Sequence, residues 1–175
     1  MAWTQAGSGV AFLVLPAADG LVHDGRQLFG SGSPQPPSQT PNGFAALAQY
    51  DLPANGGNGN GVIDPGDAIY SSLRLWIDAN HDGISQPEEL HTLQSLGVTS
   101  ISLDYSMSRR QDQYGNVFRF KTAIDPKSPD RDRVGRTSYD VFFRTLQPSA
   151  ALIQMRKQCP QVNPAQAQRQ VSGKR

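Results

Sequence analysis

An acidic segment near the middle of the chain constrains this sequence more than any other feature. Residues 78 to 89 read Asp-Ala-Asn-His-Asp-Gly-Ile-Ser-Gln-Pro-Glu-Glu. Side chains that carry oxygen stand at positions one, three and five, glycine stands at six and glutamate at twelve. Calcium takes about six to eight oxygen ligands, and a loop with this spacing supplies them from one tight turn. The sequence therefore predicts a calcium-binding loop of the EF-hand type.

The predicted ligands of this loop share one property, an oxygen atom at a position that faces the ion. They are Asp78, Asn80, Asp82, the main-chain oxygen of Ile84, Gln86 directly or through a water, and Glu89. Gly83 suits position six, because the backbone bends there in a conformation that other residues disfavour. Ser85 stands at position eight, where an apolar residue usually pairs with a partner loop, so we expect weak loop pairing.

A polar turn without metal is the competing interpretation, because Asp, Asn and Gly are all favoured in turns for local reasons. The glutamate at position twelve favours the metal.

A second, altered loop precedes the first. Its candidate ligands are Asp51, Asn58, Asn60, Val62, Asp64 and Asp67. Seven steps separate Asp51 from Asn58 where the spacing requires two, which is an insertion of five residues. Asn replaces Asp at two positions, and Asp67 is shorter than the closing glutamate. We therefore expect either weak calcium binding or a metal-free Asn-Gly loop.

The hydrophobic pattern predicts helices around both loops and strands beyond them. Helices are expected over 43–50, 67–76 and 88–97, and strands over 10–15, over 101–105, around Phe118 and Phe120, and over 139–143. The predicted fold class is α+β, an EF-hand-like helix-loop-helix region packed with a small antiparallel β-sheet. Residues 1–146 form the predicted domain. Residues 147–175, rich in Gln, Pro and Ala, are expected to be a disordered tail.

Composition argues against several other functions. Sixteen Lys and Arg against 15 Asp and Glu give a net charge of +1, so neither nucleic acid nor an anionic membrane is an expected partner. No apolar run is long enough to insert into a membrane. The single cysteine, Cys159, excludes an intrachain disulfide and a cysteine zinc site.

Two other classes of function compete with a structural calcium module. A calcium sensor would expose a Met-rich groove, but the chain has three scattered Met residues. A hydrolase could use paired carboxylates such as Glu88 and Glu89. The metal loop already explains their spacing, so no enzymatic activity is expected.

The chain resembles the EF-hand-like calcium-binding modules of large bacterial secreted and cell-surface proteins, from about Trp3 to Arg144. The resemblance rests on five short stretches of sequence and on the turn Asp112 to Asn116. The stretches are 11–15, 27–30, 42–47, 61–64 and 73–78.

The resemblance has three implications for this chain. Family members often carry a further calcium loop at the position of residues 16–20, where this chain lacks most ligands. Gln27 stands where the family has glutamate, so that first site is expected to be lost. An extracellular or cell-surface location is implied, with calcium and other domains of a longer polypeptide as partners. No signal peptide is present, so the export signal is expected upstream.

Overall fold

The computed structural model describes residues 10–125 and 136–144. Within these ranges the chain is mostly β-structure, and its strands form three antiparallel sheets. The strands are β1 (Phe12–Val14), β2 (Val62–Ile63), β3 (Arg74–Trp76), β4 (Leu90–Thr92), β5 (Ile101–Ser102), β6 (Ser106–Gln111), β7 (Val117–Ala123) and β8 (Thr137–Phe142). The α-helix of the described ranges, α1, is Gly43–Leu47.

The first sheet has the order β1-β3-β4, so β3 receives hydrogen bonds along both of its edges. Strands β2 and β5 pair to form the second sheet. The third sheet is a meander of β6, β7 and β8, with bulges in both pairings. An isolated bridge between Ile101 and Ile124 joins the second sheet to the end of β7.

The hydrophobic core is built mainly from short segments between the sheets. Its buried members are Leu47, Ile63, Ile69, Leu73, Leu93, Val98 and Ile101. These residues come from α1, from the second sheet and from the turns that follow β2 and β4. Because each segment is short, no single element supplies the core.

Helix α1 begins where the sequence predicts a helix. The side chain of Asn42 accepts a hydrogen bond from the Ala45 amide at 2.9 Å, which caps the first turn. The helix continues as a 3-10 turn over Ala48–Tyr50. The predicted element over 43–50 is therefore present, although only its first part is α-helical.

The predicted EF-hand helix-loop-helix is wrong. The loop over residues 78–89 connects β3 to β4, two antiparallel strands of one sheet, rather than two helices. The α+β class is replaced by a mostly β architecture with one short helix in the described ranges.

The helix predicted over 67–76 fails after a single turn. Leu73 donates its amide to the Ile69 oxygen at 3.1 Å, and both side chains are buried, as a helical stripe requires. The chain then enters β3. The backbone of β3 finds hydrogen-bond partners in both β1 and β4, and Trp76 is buried, so pairing within the sheet outweighs the local helical pattern.

The helix predicted over 88–97 is replaced by β4 between two 3-10 turns, Pro87–Glu89 and Gln94–Leu96. Leu93 is buried whereas Leu96 is exposed, so the two leucines do not share one face. Gly97 ends the segment with a φ of 67°, as expected for a terminating glycine.

The predicted strands correspond to described strands, with different bounds. The segment 10–15 contains β1, the segments around Phe118 and Tyr139 are β7 and β8, and 101–105 contains β5. The described residues lie in one compact unit that ends at Arg144. The predicted tail over 147–175 lies outside the described residues.

Two leucines close together in sequence test this description of the core. Leu47 is 1% exposed and Leu52 is 46% exposed. We expect Leu47→Ala to lower the free energy of unfolding by about 2–5 kcal/mol, because the deletion leaves a cavity. Leu52→Ala, the matched control, changes it by about 0.5 kcal/mol or less. Urea denaturation measures both, and equal effects would contradict this core.

Candidate metal centre

The acidic loop over 78–89 turns sharply at two positions. Gly83 has a φ of 72°, which is the left-handed conformation predicted for position six. His81 also has a positive φ, of 60°. The Gly83 amide donates to Asp78 Oδ2 at 3.2 Å, so position six is tied to position one.

Two of the predicted ligands, Asn80 and Gln86, donate hydrogen bonds to a third, Asp82. Its Oδ2 atom accepts hydrogen bonds from the side-chain amides of Asn80 and Gln86, each at 2.9 Å. Its Oδ1 atom accepts from the Ile84 amide at 2.8 Å. This backbone hydrogen bond, with the two side-chain amides, holds the pKa of Asp82 below its usual range. The carboxylate is therefore ionised at neutral pH, in the form that binds a cation.

Two oxygen atoms of this loop are buried without a hydrogen-bond partner, Asp78 Oδ1 and Gln86 Oε1. Leaving a buried acceptor unpaired costs about 1–3 kcal/mol. Both atoms belong to residues that the sequence predicts as metal ligands. A cation bound between them would satisfy both, so the donor set fits a hard metal ion.

Glu89, the predicted ligand at position twelve, accepts hydrogen bonds from several protein donors. Its Oε1 atom accepts from the Ala79 amide at 2.9 Å, and its Oε2 atom accepts from Trp76 Nε1 at 3.1 Å. The residue is 5% exposed. Burial raises the pKa of Glu89, but the hydrogen bonds from Trp76 and from nearby backbone amides lower it below its usual range. The structure therefore places this predicted ligand in contact with protein donors.

Carboxylates alone do not form the centre. Across residues 10–125 and 136–144, no three His, Cys, Asp or Glu side chains are grouped closely enough to hold a metal. Any ion here depends on the amide oxygens of Asn80 and Gln86 as well. Ile84, whose main-chain oxygen is the predicted ligand at position seven, has a side chain that is 63% exposed.

The second loop reproduces part of this arrangement despite its insertion. Asp51 Oδ2 accepts from the Gly61 amide at 3.0 Å, which repeats the contact between Asp78 and Gly83. Its Oδ1 atom accepts from the Gly59 and Asn60 amides at 3.0 and 3.2 Å. The inserted Gly57 packs on the Asp51 backbone so closely that a Cβ atom would overlap it. The five inserted residues therefore form a side loop, and Asp51 makes the contact expected of position one.

The other candidate ligands of the second loop bond to one another. Asp64 accepts from the side-chain amides of Asn60 at 3.0 Å and Asn58 at 3.5 Å. Asp67 accepts from the Asn58 and Asp64 amides at 3.1 and 2.8 Å. Val62 lies in β2. The carboxylates of this loop thus accept hydrogen bonds from protein donors, unlike Asp78 Oδ1 and Gln86 Oε1 in the first loop.

Ser85, at position eight of the loop, contacts a neighbouring loop through its hydroxyl group. Its Oγ atom accepts from the Val22 amide at 2.8 Å and donates to the Val22 oxygen at 3.1 Å. Ser85 is 4% exposed. Val22 belongs to the segment 16–27, where the resemblance indicates a lost calcium loop. The two loops are therefore joined by a side chain instead of by an apolar pair.

Comparison with known protein families identifies the family of this chain. The profile of the SPM domain family matches residues 1–144. The chain belongs to the SPM domain family. The SPM domain is 36% identical over 116 residues to "Iron-regulated protein FrpA" of Neisseria meningitidis serogroup C. The match covers 66% of the chain and 10% of that relative, so the SPM domain spans about a tenth of the relative's length.

Within residues 10–125 and 136–144 of the SPM domain, no helix combines the length and apolar character needed to cross a bilayer.

Sequence reasoning missed two residues of this centre, Trp76 and Ser85. The sequence predicts Trp76 only as the end of a helix over 67–76, whereas its indole nitrogen donates to Glu89. Ser85 is notable in the sequence only because it replaces an apolar residue at position eight. Neither role has a sequence signal, because each depends on a partner brought near by the sheet or by another loop.

Removing the Ser85 hydroxyl tests the contact between the two loops. We expect Ser85→Ala to lower the free energy of unfolding by about 1–3 kcal/mol, because the Val22 amide and oxygen lose their partner. Ser95→Ala is the control, because Ser95 is exposed and its hydroxyl bonds locally to Thr92. Chemical denaturation and exchange of the Val22 amide measure the effect. An unchanged Val22 exchange rate would show that this contact does not form.

Proposed function

We propose that this SPM domain binds calcium in the loop over residues 78–89 and that the ion stabilises the connection between β3 and β4. The observation that carries the proposal is the pair of buried, unpaired oxygen atoms on Asp78 and Gln86. Buried polar atoms are nearly always paired in folded proteins. A cation bound by both residues would supply the missing interaction.

The chemistry of the donors favours calcium. The residues that would hold the ion are Asp78, Asn80, Asp82 and Gln86, together with the main-chain oxygen of Ile84. All of these ligands are oxygen atoms, which suit a hard cation rather than zinc or copper. Calcium also tolerates irregular geometry better than magnesium does, as a loop with mixed carboxylate and amide ligands requires.

The role proposed for the ion is structural. Asp78 follows β3 closely and Gln86 lies just before the turn that leads into β4, so an ion that binds both residues holds the two ends of the loop together. Ligands that bind only the folded state stabilise it by mass action. In a chain whose core comes from short segments, this contribution is a substantial part of total stability.

The second loop, with Asp51, Asn58, Asn60, Val62, Asp64 and Asp67, is proposed as a weaker site. An ion there must replace hydrogen bonds that the Asp64 and Asp67 carboxylates already accept. Its affinity is therefore expected to be lower than that of the first loop.

The location and setting of the module are part of the same proposal. Calcium sites of modest charge match the millimolar calcium outside cells. The SPM domain also aligns with only 10% of a much longer relative. Both points support a structural module of a longer exported or cell-surface protein, with neighbouring domains as partners.

Isothermal calorimetry with calcium chloride tests the proposed function. We expect the wild-type chain to show a binding event in the first loop. Asp82→Asn removes an anionic ligand and should weaken that event by at least about tenfold. Asp104→Asn is the matched control, because Asp104 is an exposed carboxylate outside both loops. Wild-type protein that releases no heat, or equal affinity in Asp82→Asn, would refute the proposal.

One substitution tests the ranking of the two loops. We expect Asn60→Asp to raise the calcium affinity of the second loop, because it restores the carboxylate that Asp82 provides at position five of the first loop. The number and strength of binding events by calorimetry measure the change. Weaker binding in the second loop of Asn60→Asp would contradict the alignment of the two loops.

A further inference from the structure

The charges of the SPM domain are divided between two parts of the described chain. Residues 10–105, which hold the first two sheets and both acidic loops, carry ten Asp and Glu against two Arg, a net charge of −8 with His neutral. Residues 106–125 and 136–144, which hold the third sheet, carry six Lys and Arg against three Asp, a net charge of +3. The nearly neutral total of the chain therefore conceals an acidic part and a basic part.

The third sheet carries basic and aromatic side chains together on one face. Strand pairing places Arg110 opposite Phe118, Phe118 opposite Val141, and Lys121 opposite Tyr139. The Phe118 and Tyr139 rings lie 5.3 Å apart, so both sets of paired residues share the same face of the sheet. None of the five side chains is buried. These five residues define the basic-aromatic face.

Arg110 is held in place on this face by two rings. Its guanidinium carbon lies 4.5 Å from the centroid of Phe118 and 5.2 Å from that of Tyr139. Stacking of this kind uses the flat side of the guanidinium group and leaves its edge able to bind a carboxylate with two hydrogen bonds. In the described ranges the ion pairs involve Arg26, Arg136 and His23, so Arg110 and Lys121 have no carboxylate partner there.

The residue types of the basic-aromatic face favour a protein partner over other anions. Arg, Met and aromatic residues are enriched at protein interfaces, whereas surfaces that serve only solubility mix Lys, Glu and Asp. Met107 in β6 and Tyr114 in the turn after it are 76% and 55% exposed, and both belong to this sheet and its hairpin. Bases of nucleic acid bind by stacking on free rings. Arg110 already covers the Phe118 and Tyr139 rings, so this mode is disfavoured.

We propose that the basic-aromatic face docks on the acidic part of a second copy of the SPM domain, so that copies associate head to tail. The charges are complementary, because the acidic part has a net charge of −8 and the third sheet is basic. Glu88 is the partner assigned to Arg110, because it is an exposed carboxylate in the most acidic loop, over residues 78–89. The two surfaces are different, so the interface is heterologous and each copy retains one free face of each kind.

Sedimentation velocity of the full chain tests this association. Exposed charges interact over about 30 Å at an ionic strength of about 0.01 M and over about 3 Å at 1 M. We therefore expect the wild-type protein to form dimers and larger species at the lower salt concentration and to be monomeric at the higher one. A chelator is present throughout, which removes any effect of calcium on the acidic loops and makes the result independent of the proposed calcium site.

Charge reversal at Arg110 tests the basic-aromatic face. We expect Arg110→Glu to raise the dissociation constant at least about tenfold, because like charges then face each other. Arg26→Glu is the matched control, since it makes the same change in net charge at an exposed arginine of the acidic part and should leave association intact. Arg110→Lys keeps the charge but loses the planar fork, so its association should lie between wild type and Arg110→Glu.

A mixture of two variants tests the head-to-tail arrangement. Arg110→Glu lacks a working basic face, and Glu88→Lys lacks a working acidic one, so neither should associate alone. Mixed together, they should form one-to-one dimers that grow no further, because each variant retains the surface that the other has lost. Circular dichroism checks that both variants fold. Lys121→Glu, on the same face, replaces Arg110→Glu if that variant does not fold.

Three outcomes would overturn the inference. They are a wild-type protein that stays monomeric at low salt, association that is equal in wild type and in folded Arg110→Glu, and a mixture of Arg110→Glu and Glu88→Lys that stays monomeric. Heparin is the probe for a different occupant. Wild-type protein that stays monomeric but binds heparin, with binding lost in Arg110→Glu, would assign the face to an anionic polymer and overturn the second copy.

Discussion

The buried carboxylate of Glu89 connects the loop over residues 78–89 to the first sheet at the point where β4 begins. It accepts a hydrogen bond from the Trp76 indole on β3 and another from the Ala79 amide inside the loop. These contacts add to the backbone pairing of Trp76 with Leu90, which already joins the end of β3 to the start of β4.

The acceptor oxygens of the two acidic loops differ in whether they have hydrogen-bond donors. In the second loop the Asp51, Asp64 and Asp67 carboxylates accept hydrogen bonds from the loop's own amides. In the first loop two buried oxygens, on Asp78 and Gln86, have no such donor. The first loop therefore leaves more buried acceptor atoms unsatisfied than the second, although the two sequences follow the same spacing apart from the insertion after Asp51. This difference is the physical basis for ranking the proposed sites.

The turn geometry of the loop over residues 78–89 was predictable from the sequence, but the secondary structure on either side of the loop was not. The spacing from Asp78 to Asp82 correctly indicated a turn with a left-handed glycine, since that conformation depends on the residues of the turn themselves. The helices predicted on both sides were wrong because β3 and β4 gain hydrogen bonds from strands distant in sequence. The spacing predicts Glu89 as a ligand but gives no sign of its hydrogen bond from Trp76, because the position of Trp76 depends on the sheet.

A crystal structure determined with calcium, using the anomalous signal of the ion, tests the central claim most directly. The account predicts one strong peak between Asp78 Oδ1 and Gln86 Oε1, with oxygen ligands at about 2.3–2.6 Å. The absence of a peak in the loop over residues 78–89 would contradict calcium binding there.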